Sequence, residues 1–151
     1  MAEMKKVFLI HGPNFDILEL RDRASYGGLS LADIENCVRD ALEPASVALE
    51  SFQSNCEGQI VECIHKALRE NADAIIINAA AYSHTSIAIL DALSCYQGPI
   101  LEVHLSNIFR REQFRHGSYV SLAATGIICG LGLHGYRAAA QAVIELIGGR
   151  S

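Results

Sequence analysis

Glu102 to Arg115 (Glu-Val-His-Leu-Ser-Asn-Ile-Phe-Arg-Arg-Glu-Gln-Phe-Arg) holds the densest chemistry in this sequence. It leaves an apolar run (Ile100, Leu101, Val103) and turns directly into His104, Ser106, Asn107, Arg110, Arg111 and Arg115. An imidazole gives or takes a proton near neutral pH. Guanidinium groups hold a carboxylate or a phosphate through paired hydrogen bonds. An apolar run ending in such groups reads as a buried strand delivering its carboxyl end to a site. Taken alone, the cluster reads equally well as a surface loop laced with salt bridges. The decision rests on whether other polar side chains arrive at the same edge.

Other stretches do arrive there. Val7-Phe-Leu-Ile10 stops at His11-Gly-Pro-Asn14, where Gly12 and Pro13 end the strand and a fixed turn presents Asn14. Ala74-Ile-Ile-Ile77 runs into Asn78, then Ser83-His84-Thr85-Ser86 at a helix start, where free backbone N–H groups favour anions. Between Phe15 and Gly28 the periodicity is lost, and Asp16, Glu19, Arg21, Asp22, Arg23 and Tyr26 fall in a connection long enough to be a lid. A disordered segment is the other reading of that stretch.

These groups need a scaffold, and the remaining pattern supplies one. Ser30 with Asp33 looks like a helix start. Leu31, Ile34, Val38, Ala41 and Leu42 keep helical spacing up to Pro44. Val47 to Phe52 reads as a second strand, Gln53 to Gly58 as a polar turn, and Ile60, Val61, Ile64, Ala67 and Leu68 as the face of another helix. Ile87, Leu90, Ala92 and Leu93 mark a third, followed by a strand at Ile100 to Val103. Gly126 to Gly132 is a fifth strand bracketed by glycines, and Ala139, Ala142, Val143, Leu146 and Ile147 mark a last helix ending at Gly148-Gly149. The expected fold is α/β: a flavodoxin-like, doubly wound, five-stranded parallel sheet with helices on both faces. Strands one, three and four should lie side by side, with a site at their carboxyl ends. The 151 residues should form one domain, 1–151.

Composition narrows the partners. Half of the residues are hydrophobic and 19% are charged, as in globular rather than disordered chains. A net charge of -5 with no Lys/Arg block argues against nucleic acid and anionic membrane. No apolar run approaches the roughly 18 residues of a membrane span, and the stretch after Lys6 is too short for a signal peptide. The cysteines (37, 56, 63, 95 and 129) are odd in number and form no C-x-x-C pair, which fits reduced thiols in the cytoplasm. Cys95 and Cys129 lie in apolar patterns and read as core fillers.

A small anionic substrate over strands one, three and four would meet a specific set of groups. Arg115, or the hydroxyls and backbone at Thr85 and Ser86, would take a carboxylate. Asn78 and His84 would hold hydroxyls, and a site built that way rejects analogues lacking them. His104 is a candidate general acid, with Glu102 two positions earlier on the same strand face to orient it. The base is less obvious. Carboxylates are scarce at these edges, which leaves Tyr26. A free phenol, with a pKa of about 10, is a poor base at neutral pH, but a cation within about 4–6 Å favours the phenolate. Arg21 and Arg111 are both candidates for that cation. No dinucleotide fingerprint, P-loop or H-E-x-x-H motif occurs, and His84 and His104 lack metal-ligand spacing. The lysines, Lys5, Lys6 and Lys66, are poorly placed for a Schiff base. Neither a metal nor an organic cofactor is expected.

Taken together, the motifs closely resemble the type II 3-dehydroquinate dehydratases (3-dehydroquinases). The family's G-P-N turn is matched by Gly12-Pro13-Asn14, its R-x-x-x-x-Y-G lid by Arg21 through Tyr26-Gly27, and its Q-S-N-x-E-G turn by Gln53 to Gly58. Ile75 to Asn78 with Ser83 to Ser86, Glu102 to His116, and Gly135-Tyr136 match further segments in the same order. The resemblance implies a hydro-lyase that reversibly trans-dehydrates 3-dehydroquinate to 3-dehydroshikimate through an enolate, in the shikimate or quinate pathway. It makes Tyr26 the base, Arg21 its activating cation and His104 the acid, with Asn14 at the developing charge. Glu102 belongs behind His104, and Asn78, His84, Leu105, Ser106 and Arg115 bind substrate, with Arg111 supporting Tyr26. It also implies trimers grouped into a dodecamer, with Asp91 reaching a neighbouring subunit's site. The sequence departs from the family at Glu19 and Arg23 in the lid, at Ala79-Ala80 after strand three, at Leu90 and at Gly117. A non-catalytic paralogue that binds a quinate-like acid, its lid no longer closing, is the alternative.

Overall fold

A computed structural model describes residues 4–148. Its frame is a parallel sheet of β1 (Lys6–His11), β2 (Ala48–Gln53), β3 (Ala74–Asn78), β4 (Ile100–His104) and β5 (Gly126–Cys129), in the order β2-β1-β3-β4-β5. Strands one, three and four are neighbours, as the doubly wound reading requires. Their register pairs His11 with Asn78 and His104 with Cys129, so the strand ends share one edge. Beyond the sheet lie α1 (Arg23–Tyr26), α2 (Leu31–Leu42), α3 (Glu57–Arg69), α4 (Ile87–Ser94) and α5 (Leu133–Gly148).

Because side chains alternate along a strand, each buried strand feeds two cores. Val7, Leu9, Ile76, Leu101 and Val103 pack with Ile34, Val38 and Leu42 of α2 and Tyr136, Ala139, Ala140 and Val143 of α5. Phe8, Ile10, Ile75, Ile77 and Ile100 pack with Ile60, Cys63 and Ile64 of α3 and Ile89 and Leu93 of α4. The continuous apolar runs in the sequence are therefore strands covered on both faces, which is the reason they do not alternate. α2 begins where the sequence placed it. Ser30 Oγ accepts from the Asp33 amide while the Asp33 carboxylate accepts from the Ser30 amide, a reciprocal cap worth about 1 kcal/mol.

Some expectations need correction. The lid stretch is helical: Phe15–Leu20 forms a 3₁₀ turn anchored by buried Phe15 and Leu18, and Arg23–Tyr26 a single turn capped by Asp22. Turns this short are invisible to periodicity. The fifth strand ends at Cys129, because Gly130 takes a left-handed φ of 89° and turns the chain into α5. Cys95 and Cys129 are not core fillers. Cys95 is exposed just past the end of α4 and Cys129 is half-buried, whereas Cys63 is the buried thiol. The proposed end of the last helix at Gly148-Gly149 reaches beyond the described residues.

Candidate active site

The strand ends open into a cleft lined by Asn14, Arg21, Tyr26, Asn78, His84, His104, Leu105, Ser106, Arg111 and Arg115, together with Pro13, Phe15, Ala80, Ala81 and Ile108. Ten of the twelve residues singled out in the sequence thus meet in one place. Glu102 lies behind the lining, fully buried, in contact with His104. Asp91 is exposed on α4, outside the cleft. Arg110 also stays outside, and Ser86 spends its hydroxyl capping α4 through the Ile89 amide. Arg115 does line the cleft. Its Nε donates to Glu112 at 2.7 Å.

Each loop is positioned by a local cause. Gly12 packs so tightly against β3's exit that a Cβ there would lie 2.2 Å from the Ala79 carbonyl oxygen, and its amide donates to Asn78 O at 2.9 Å. No larger residue fits. The chain then passes through Asn14 in the left-handed region (φ 72°), which asparagine tolerates better than most residues. The polar turn after β2 holds this one in place: Asn14 N donates to Asn55 Oδ1 at 2.9 Å and Gln53 Nε2 to Gly12 O at 3.1 Å.

The lid brings Tyr26 over the cleft. Its phenol oxygen accepts from Arg21 Nη2 and from Arg111 Nη1, each at 2.9 Å. The Arg21 guanidinium also lies 4.3 Å from the tyrosine ring centroid, in cation–π range. Both guanidinium candidates from the sequence are thus on the same oxygen. His116 Nε2 donates to the Arg111 carbonyl at 2.9 Å and steadies the far side of the pair.

On the opposite wall, His104 and His84 lie with near-parallel rings, centroids 6.4 Å apart. His84 Nδ1 donates to Gly117 O at 2.8 Å. His104 Nε2 bonds Glu102 Oε2 at 2.6 Å. Two residues that sequence reasoning missed complete this arrangement: the hydroxyls of Ser118, at 2.6 Å, and Ser121 donate to the same carboxylate. Burial alone would push the Glu102 carboxyl up. The hydrogen bonds from His104, Ser118 and Ser121 outweigh it and hold the group below the ordinary carboxylate value. Glu102 is therefore ionised at neutral pH, with three donors around it. Only the order Ser118-x-x-Ser121 near a buried glutamate hinted at this, and that pattern carries no signal by itself.

Among the described residues, no three His, Cys, Asp or Glu side chains are grouped to hold a metal ion, and no helix is long and apolar enough to cross a membrane. The cleft therefore gathers an arginine-flanked phenol, a carboxylate-backed imidazole, a second imidazole, two amides and the Arg115 guanidinium, paired through Nε with Glu112. That set suits proton transfer on a small polyhydroxy acid.

Comparison with known proteins agrees with this geometry. The family model described as dehydroquinase class II matches residues 5–144. The chain is 46% identical over 151 residues to a 3-dehydroquinate dehydratase of Synechocystis sp., covering 100% of this chain and 99% of that one. It is 47% identical over 142 residues to a 3-dehydroquinate dehydratase of Legionella pneumophila, covering 94% and 98%. Its fold superposes on the crystal structure of type II dehydroquinase from Butyrivibrio crossotus with a TM-score of 0.90 at 36% identity, covering 94% and 99%. With the match spanning all five strands and every loop of the cleft, the chain belongs to the class II dehydroquinase family.

Proposed function

We propose that this protein is a 3-dehydroquinate dehydratase, a hydro-lyase that interconverts 3-dehydroquinate and 3-dehydroshikimate by trans-elimination of water. The observation that carries the reading is the phenol oxygen of Tyr26 held between Arg21 and Arg111 at the mouth of a cleft whose other wall is the His104–Glu102 pair. Two charge-assisted hydrogen bonds donated to one oxygen stabilise negative charge on it. As the phenolate, Tyr26 takes the proton from the carbon beside the substrate ketone, and the electron pair moves onto the ketone oxygen as an enolate. Asn14 supports that developing charge. His104, braced through Nε2 by Glu102, delivers a proton to the leaving hydroxyl as the enolate collapses, and water departs. Arg115 holds the substrate carboxylate. Asn78, His84 and Ser106 hold its hydroxyls, Leu105 lines the floor, and Arg111 serves Tyr26. The chemistry uses neither metal nor organic cofactor.

The same reading makes residues 1–151 a single catalytic domain in the cytoplasm, where the five cysteines remain free thiols. It also assembles the chain as trimers grouped into a dodecamer, with exposed Asp91 reaching a neighbouring subunit's cleft.

The test is enone absorbance in the ultraviolet when purified, chelator-treated protein meets 3-dehydroquinate. Turnover should persist after chelation, and Tyr26→Phe should reduce it by roughly 10²–10⁴-fold with the fold intact. A natively folded protein that bound a quinate-like acid in a calorimeter without forming product would make the non-catalytic alternative the right one.

A further inference from the structure

Beneath the cleft, on the α5 face of the sheet, three polar side chains form a buried chain, and two of them, His11 and Tyr136, have no part in the reaction above. His11 ends β1, and its register partner Asn78 ends β3, so both project toward the same face. Tyr136 of α5, fully buried, reaches up between them: Asn78 Nδ2 lies 3.0 Å and His11 Nε2 2.9 Å from its phenol oxygen. The Ala80 amide donates to Asn78 Oδ1 at 3.1 Å, which identifies the oxygen end of the Asn78 amide and leaves its nitrogen facing Tyr136. Tyr136 therefore accepts from Asn78 and donates its own hydrogen to His11 Nε2. The His11 proton must then sit on Nδ1, which is buried and has no hydrogen-bond partner among the described residues.

Such an arrangement works against folding. A phenol, an imidazole and an orphaned N–H lie where α5 otherwise buries Ala139, Ala140 and Val143, and a phenylalanine would fill the same volume without them. What the hydroxyl secures is the orientation of the one amide that reaches the cleft from this strand. We propose that Tyr136 and His11 are positioning residues: they lock the Asn78 amide so that its second Nδ2 hydrogen points at a substrate hydroxyl. The inference rests on the dehydratase reading for its kinetic consequence. Burial pushes the Tyr136 phenol far above its ordinary value, so it remains a neutral donor wherever the protein is folded.

The experiment measures kcat and KM separately for wild type, Tyr136→Phe, Asn78→Ala and the double variant. Tyr136→Phe should raise KM roughly tenfold or more while kcat moves far less, and it should add nothing further in the Asn78→Ala background. His11→Leu, which removes the acceptor, should reproduce the KM increase; His11→Gln, which offers Oε1 to the phenol, should restore most of it. The His11 pair stands in should Tyr136→Phe fail to fold. A Tyr136→Phe or His11→Leu KM within twofold of wild type, or effects of Tyr136→Phe and Asn78→Ala that multiply independently, would overturn the assignment. A readout without substrate separates the two readings: the Asn78 side-chain amide protons should exchange slowly in wild type and at least tenfold faster in Tyr136→Phe. Wild type with no turnover but slow amide exchange would sink the reaction while leaving the lock in place. Equal exchange in both proteins would sink the lock.

Discussion

At the scale of single residues, the cleft surrounds its ionisable groups with hydrogen-bond partners. Glu102 is the plainest case. It is fully buried, yet three donors keep it ionised. Glu102→Gln would keep the shape but replace an acceptor-only group by an amide facing two serine hydroxyls and an imidazole. Steady-state assays should register roughly 10²-fold loss in kcat, larger than for Ser118→Ala or Ser121→Ala alone, since either serine leaves the carboxylate two donors. His11 makes a different prediction, about stability. Burial lowers its pKa to about 3 in the folded protein, against 6.5 for the free side chain. Between those values the unfolded chain binds a proton that the folded chain refuses, so stability falls as pH drops below about 6.5 and this contribution levels off near 3. Glu102, with its lowered carboxyl, adds loss only below about 4.5. Urea unfolding should therefore record a decrease of roughly 1–2 kcal/mol between pH 6.5 and 5, flattened in His11→Gln.

Elements carry the site because strand ends and turns are rigid and cheap to read. The apolar runs, Gly12-Pro13, Pro44 and Gly98-Pro99 were enough to order five strands and place Asn14, Asn78 and His104 at one edge, since a covered parallel strand has no other way to look. The lid helix was not legible, because four residues cannot display a 3.6-residue period, and nor were the partners of Glu102, which lie 16 and 19 residues away along an irregular segment. The link from His11 to Tyr136 spans 125 positions and exists only once α5 is docked. Ala80 is the element-scale departure with a measurable price. It sits at φ 54°, a left-handed conformation that disfavours a Cβ by roughly 1–2 kcal/mol. Ala80→Gly should raise stability by about 0.5–1 kcal/mol, because relief of that strain exceeds the added freedom of the unfolded chain. Thermal melting checks it; a lower melting temperature would mean that the methyl's packing against the α2/α5 core outweighs the strain.

For the whole molecule, the surface facing away from the two cores is unusually apolar in places. Phe114 is 70% exposed and Leu122 76%, together beside His84 and Tyr119, and Leu131, 57% exposed, lies just past the open edge strand β5. Exposed apolar area of this kind, and an unpaired strand edge, are what subunit contacts cover. Light scattering on the purified protein should give a mass several times 16.4 kDa, and a monomer mass would remove Asp91 from any neighbour's cleft. Tyr26 is held by one guanidinium five positions away on its own flap and by another 85 positions away on the opposite bank. Were the flap to swing out to admit or release a molecule, the distant tether would have to break while the near one could travel with the ring. The oxygen would then keep a positive escort throughout its excursion, and on each return it would need to regain only a single bond.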